Sequence, residues 1–292
     1  MDERTVQAFW QDNACGDAQV GGLRERFNGD FDSFFTDYDT FRYTTERHIP
    51  GCLDSLNLAG KRVLEIGLGE GSESEQMIRQ GALWSGVDLT AESVSRVRAR
   101  LELRNLPFDQ LRQGSVLDLP FGDDVFDLVF SHGVLHHVPE IERAQSEIRR
   151  VLQPDGELVV MLYARWSLNY LVSIGVLRRL ALLAIYPWAK VGLLNMDAQS
   201  GMLGAHLENA RATGLLRYLR LREFIHRSTD GPANPYATVY DQRRVERDFP
   251  SFRVTRIYKR FMHAPPLPVH RLPGEGVLGW HLWVHLEPVL AD

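Results

Sequence analysis

The chain has very little cysteine: two residues in 292, Cys15 and Cys52, in neither metal-binding nor redox spacing. That excludes a disulfide-stapled scaffold and predicts two unpaired thiols in a reducing compartment. A basic excess is also missing. Thirty-three Lys and Arg against 38 Asp and Glu leave a formal charge of -5, whereas nucleic-acid binders show a positive stripe. The opening MDERTVQAFW is polar and charged, so no signal peptide is expected. Nor is there a long uninterrupted apolar run. The most apolar stretch, Trp166 to Trp188, is broken by Arg178 and Arg179, a pair too costly for a bilayer centre. These absences predict a cytoplasmic protein with no nucleic-acid partner and no stable membrane insertion. The stretch 166–188 is left to pack on a second subunit, as in a homodimer, or to brush a membrane surface.

What is present is ordinary globular composition in a length suited to one large domain, or one domain and a lid. Residues 1–60 read as an N-terminal extension with helical pieces: Val6, Phe9 and Trp10 give one turn an apolar face. RFNGDFDSFFTDYDTFRY reads as a cover that packs its aromatics and exposes its acids. From 61 to 163 strand and helix patterns alternate. Strands are predicted at 62–67, 84–89, 108–114, 126–131 and 157–163. GSESEQMIRQG, AESVSRVRARLELRN and EIERAQSEIRRVLQ read as the helices between them, the last broken by Pro154-Asp155-Gly156. Such alternation predicts a parallel sheet with helices on both faces, and runs such as VLEIG and LVVML suit strands buried on both sides. Residues 164–240 break the rhythm and read as a helical lid and substrate cap. In 241–292, FRVTRIYKRFM and GWHLWVHLEP are joined without a helix, which predicts an antiparallel strand pair.

The loop after the first strand carries the functional argument. Glu65-Ile66-Gly67-Leu68-Gly69-Glu70-Gly71 has the spacing G-x-G-x-G, with Ser72 where a dinucleotide fold has its third glycine. Glycines there let a nucleotide-like ligand approach the backbone. The flanking acids Glu65 and Glu70 suit an ammonium or a sulfonium better than a pyrophosphate. A tight turn without a ligand is the structural alternative. Asp88 ends the second strand, where a carboxylate can accept from ribose hydroxyls or cap the helix starting near Thr90.

VLEIGLGEG, GVDL, GSVLDLPF, FDLVFSHGVLHHV and RVLQPDGELVVML resemble, in order and spacing, the motif series of class I S-adenosylmethionine (SAM)-dependent methyltransferases, over residues 61–163. The resemblance implies a Rossmann-like, mostly parallel seven-stranded sheet that takes SAM, without a metal, to modify a small molecule. It implies that Gly67, Gly69 and Gly71 hold the methionine part and Asp88 with Leu89 the ribose. Ser115 and Val116 stand at the adenine position, where the family more often has an acid. Ser131 and His132 should line the methionine side. The flanks FWQDNACG, STDGPANPY and GWHLWVHLEP resemble a bacterial small-molecule subgroup, similar in build to azetidine-2-carboxylic acid synthases, which cyclise SAM.

A sulfonium favours aromatic surroundings. Phe41 and Tyr43, then Tyr163, Trp166 and Tyr170, are the candidates, with core or lid packing as the alternative. His136 and His137 are adjacent with no third ligand at useful spacing, so they read as structural or wall residues, either one free to act as a base. In 229–241, a rigid turn competes with a role for Asn234, Tyr236 or Tyr240 at the acceptor. Methyl transfer is the leading expectation, with Ser131, His136, Tyr163, Asn169 and Tyr170 as candidate catalytic residues. SAM cyclisation using Asn169, Tyr170 and Ser131 is the alternative, and a SAM-binding protein without turnover the third.

Overall fold

A computed structural model describes residues 2–13, 31–194 and 201–289. The last three residues of FWQDNACG, Cys15 among them, and the start of the Phe- and Asp-rich run lie outside them. Among the described residues Cys52 is a buried free thiol.

The sheet has seven strands: β1 (Arg62–Ile66), β2 (Leu83–Asp88), β3 (Gln110–Gln113), β4 (Phe126–His132), β5 (Leu152–Tyr163), β6 (Phe252–Arg260) and β7 (His281–Pro288). Their order is β3-β2-β1-β4-β5-β7-β6. The first five run parallel, and β7 is antiparallel to both β5 and β6. Consecutive apolar residues serve opposite faces. Val63 and Val159 join one core cluster, Leu64 and Val160 the other, which is why these strands read as unbroken apolar runs. The strand order reverses between β1 and β4, where open α/β sheets hold ligands. Because β7 is antiparallel, its first residue, His281, pairs with Tyr163 at the end of β5 and reaches the same rim.

The helices of the core are α4 (Ser72–Arg79), α5 (Ala91–Leu103) and α6 (Ile141–Val151). Thr90 caps α5, accepting from Ser93 N at 3.3 Å, so the cap belongs to Thr90 and not Asp88. One expectation is corrected. Helix α6 ends at Val151, before Pro154, and Pro154-Asp155-Gly156 sits inside β5. The register there jumps from Phe126↔Leu152 to Leu128↔Glu157, so the turn residues form a bulge.

Three N-terminal helices precede the sheet: α1 (Glu3–Asp12), α2 (Phe31–Thr45) and α3 (His48–Asp54). In α2, Phe34, Phe35 and Tyr38 are buried. Its acids are not simply exposed, as expected, but recruited. Asp39 pairs with the fully buried Arg100 and accepts from Ser72 Oγ at 2.5 Å. Arg100 also donates to Glu75 at 2.8 Å, and Arg104 contacts Asp32 at 3.1 Å. A buried guanidinium left without these carboxylates would be strongly destabilising, so the network fastens α2 to the domain.

Between β5 and β6 lies the helical lid. A π-helical stretch (Asn169–Leu177) runs into α7 (Arg178–Lys190), followed by α8 (Met202–Thr213), α9 (Leu215–Tyr218) and α10 (Leu221–His226). Ile174, Leu182, Leu207 and Phe224 anchor it in one core cluster. Two further short helices, α11 (Gln242–Asp248) and α12 (Glu275–Leu278), flank β6.

Candidate active site

The loop after β1 is shaped by its glycines. Gly67, Gly69 and Gly71 have φ of +80°, +52° and +77°, a region costly for residues with a Cβ. Each has its own reason. A Cβ on Gly67 would stand 2.1 Å from Val134 Cγ2, and one on Gly71 would stand 3.0 Å from Val97. Those two permit close packing. At Gly69 a Cβ would meet nothing within 4 Å, so that backbone is open to the cavity it lines.

Asp88 braces this loop. Its Oδ2 accepts from Leu68 N at 2.8 Å, and its Oδ1 from Thr90 N and Oγ1, each at 2.8 Å. A carboxylate offers about four acceptor sites. Asp88 therefore orients the loop while still facing the cavity. Burial raises its carboxyl pKa, against these donors. Glu65 is fully enclosed, accepting at Oε2 from Ser74 Oγ (2.5 Å) and Trp84 Nε1 (2.9 Å). Burial pushes its carboxyl up to about 8. Burial thus favours the proton-bound form of Glu65 over the negative charge expected there.

The cavity runs from this loop to the rim of β4, β5 and β7. Its floor and far wall include Leu89, Gly114, Val116, Leu117, His132, His137, Met161, Tyr163 and His281. Glu3, Val6 and Trp10 of α1 cover it, with Tyr38 and Arg42 from α2. Helix α1 is held there by Gln7 Nε2 donating to Leu89 O at 2.8 Å and by Ser115 Oγ bonding Glu3.

Several sequence-named residues stand elsewhere. Ser115 does not line the cavity; its hydroxyl is spent on Glu3 and on Leu117 N, leaving Val116 and the Leu117 backbone at that end. Ser131 is buried, donating to Ile66 O at 3.1 Å to join β4 to β1. Tyr43 and Tyr170 pack against the core, Asn169 is buried, and Trp166 is exposed under Arg165. Of the five aromatics proposed around a sulfonium, Tyr163 alone lines the cavity. His136 is fully buried behind it, its ring 3.8 Å from that of Tyr163, and burial drives its pKa well below the usual value.

One missed residue, Asp230, links two named ones into a chain. Tyr163 Oη donates to Asp230 Oδ1 at 2.7 Å, and His137 Nε2 lies 3.2 Å from Asp230 Oδ2. His137 Nδ1 faces the Tyr236 carbonyl at 2.6 Å, and a carbonyl only accepts, so that nitrogen carries a proton. Despite burial, the His137 and Tyr163 contacts hold the Asp230 carboxyl below its ordinary pKa. Trp10 packs edge-on to His137, ring centres 5.0 Å apart. The turn 229–241 is the rigid device of the structural alternative. Asn234 bonds Thr229 Oγ1 at 3.1 Å and accepts from Tyr236 N, while Tyr240 N donates to Tyr163 O at 2.7 Å. Its site residue is Asp230, which no local motif marked.

The expectation of no third ligand beside the paired histidines is corrected. Asp230 brings a carboxylate oxygen within 4.8 Å of ring nitrogens of both His136 and His137. His48, His132 and His281 form a second such group. In that group Arg42 Nη2 donates to His132 Nδ1 at 2.7 Å.

With this geometry in place, the comparisons with known proteins converge. Residues 64–160 match the family model described as a methyltransferase domain. The chain is 36% identical over 107 residues to a phosphatidylethanolamine N-methyltransferase of Cereibacter sphaeroides, covering 36% of this chain and 52% of that protein. It is 35% identical over 102 residues to a fatty-acid O-methyltransferase of Mycolicibacterium smegmatis, covering 34% and 36%. The chain thus spans about half or less of these relatives. A SAM-dependent methyltransferase of Aquifex aeolicus superposes with a TM-score of 0.52 at 14% identity, over 89% of this chain and 99% of that one. One from Methanosarcina mazei gives 0.52 at 16% identity, over 83% and 98%. These two structures speak to the fold alone. Residues 64–160 are thus similar to a methyltransferase domain, and the fold is that of solved SAM-dependent methyltransferases.

Proposed function

We propose that this chain transfers the methyl group of SAM to a small-molecule acceptor. The observation that carries the reading is the two-ended cavity, with the open backbone of Gly69 at one end and the Tyr163–Asp230–His137 chain at the other. The site fits the cosubstrate the fold implies: Gly67, Gly69, Asp88 and Leu89 would hold its methionine and ribose parts, and Val116 and Leu117 its adenine. When bound, SAM would supply an activated methyl group to an acceptor lone pair, its carbon–sulfur bond breaking to leave the thioether S-adenosylhomocysteine.

The protein's part is alignment and exclusion of water. Helix α1 covers the reacting region. Asp230, ionised and held by Tyr163 Oη and Asn234 Nδ2, accepts the hydrogen bond of an acceptor N–H or O–H and takes its proton as the new bond forms. This role replaces His136, which has no access to the cavity. Among the described residues, seven carboxylates and one arginine line the space, which disfavours anionic acceptors. Relatives named for phosphatidylethanolamine and fatty acids make amphiphilic molecules the first to assay.

The test is the product mixture. S-adenosylhomocysteine formed only when an acceptor is added is the expected result. Methylthioadenosine and a cyclic amino acid from SAM alone would assign SAM cyclisation instead and overturn the proposal. Tight SAM binding with no product across amine, alcohol and lipid acceptors would leave a binding protein.

A further inference from the structure

The lid helix running from Asn169 to Lys190 is strongly apolar apart from Arg178 and Arg179, yet only 17% of its most apolar window is buried. A helix of that composition in water ordinarily has both sides covered. Here the inner face is covered: Ile174, Leu182 and Ala189 enter the core. The outer face is not. Val176, Leu180 and Leu183 recur at helical spacing and are 46%, 57% and 41% exposed, and Trp188 on the same helix is 60% exposed. Leu216 on α9, at 80%, extends the apolar surface.

The charge of this segment is opposite to that of the chain. Residues 164–229 hold nine Arg and Lys against three Asp and Glu, within a chain of formal charge -5. Lys190, Arg217, Arg220 and Arg222 are exposed. Arg179 donates to Leu219 O at 2.8 Å and Arg211 to Ala189 O at 3.0 Å, so α8 and the segment after α9, next to Arg217 and Arg220, lie beside α7. We infer that this face docks on an anionic membrane surface, its apolar side chains entering the boundary between headgroups and acyl chains and its cations among the headgroups. A bare apolar stripe ringed by cations is the composition of an interfacial helix. An isologous dimer would set two positive surfaces against each other. Spanning is opposed by the buried inner face, which cannot pack on the domain and cross a bilayer at once. The expected mode is therefore lying on the membrane. This inference goes beyond methyl transfer and stands whether or not the acceptor is a lipid.

Flotation of the full chain with vesicles tests it. With about 30% phosphatidylserine in phosphatidylcholine the protein should float, and with pure phosphatidylcholine binding should fall by roughly tenfold or more. Raising salt from about 0.1 M to about 1 M, which shortens the screening length severalfold, should weaken binding to the anionic vesicles. Leu180→Asp with Leu183→Asp should abolish flotation. Arg217→Glu, Arg220→Glu and Arg222→Glu together should remove the preference for anionic lipid. Unchanged circular dichroism and SAM binding in both variants would show that folding is intact. No flotation of the wild type, or flotation indifferent to both variants, overturns the proposal. So does a stable dimer in sedimentation that the Leu180→Asp, Leu183→Asp variant dissociates, because the face would then belong to a second copy.

Discussion

Gly69 and Glu65 show how single residues shape the loop end of the cavity. At Gly69 the backbone is left-handed with open space on its cavity side, so a methyl group there has two effects. Gly69→Ala should cost about 1 kcal/mol of stability from the backbone alone, read from denaturant unfolding. It should also weaken SAM binding by at least about tenfold, a 1.4 kcal/mol effect, because the added carbon stands where the ligand approaches. A stability loss with unchanged affinity would mean the loop only turns the chain. Glu65 adds a pH signature. Its folded pKa of about 8 lies above the ordinary 4.5, so the unliganded fold keeps a proton that the unfolded chain releases in that window. Stability should therefore fall as pH rises from about 4.5 to about 8 and level off above. Glu65→Gln should flatten that decline, measured as the melting temperature at several pH values. A cation bound nearby favours the carboxylate, so SAM binding near pH 7 should release protons. Calorimetry in buffers of different ionisation enthalpy reads that release, and it should vanish in Glu65→Gln.

At the scale of elements, the site is assembled from parts far apart in the chain. Helix α1 brings Trp10 over His137, and the turn before Asn234 brings Asp230 to Tyr163. Trp10→Ala should raise the Kd for SAM by roughly 2- to 30-fold, the range expected of one aromatic face near a sulfonium. It should leave the melting temperature of the unliganded protein little changed, since Trp10 belongs to the cover and not to the core clusters. Asp230→Asn tests the other end. It keeps the shape but removes the charge that accepts the proton, so turnover should drop about 100-fold while SAM affinity stays within a few-fold. An equal loss of both would make Asp230 a support for the cavity wall. The sequence pattern marked most strands and the helices between them to within two residues at most edges, because period and turn chemistry are local. It misplaced the start of β5, where a bulge absorbs a Pro-Asp-Gly that ordinarily marks a turn. It also overrated Tyr43, Asn169 and Tyr170, since neighbourhood in sequence does not say which way a side chain faces.

For the whole molecule, the division follows from what is local and what is not. The G-x-G-x-G loop, the acid ending β2, the alternating strand and helix pattern and the closing strand pair are all written in short segments. Each reflects a backbone or periodicity requirement that operates within a few residues, so the class of fold and the shape of the loop after β1 were legible without coordinates. The opposite end of the cavity was not. Asp230, His137, Trp10 and His281 come together only through the rigid turn, the α1 cover and the antiparallel entry of β7, which reverses the end of the strand that reaches the rim. The uncovered apolar face of the lid was equally undecided, because a helix with apolar residues on several sides reads the same in sequence whichever of them finds the core. Backbone geometry is encoded nearby; side-chain convergence and exposure depend on what the rest of the chain brings alongside, and only the tertiary structure decides that.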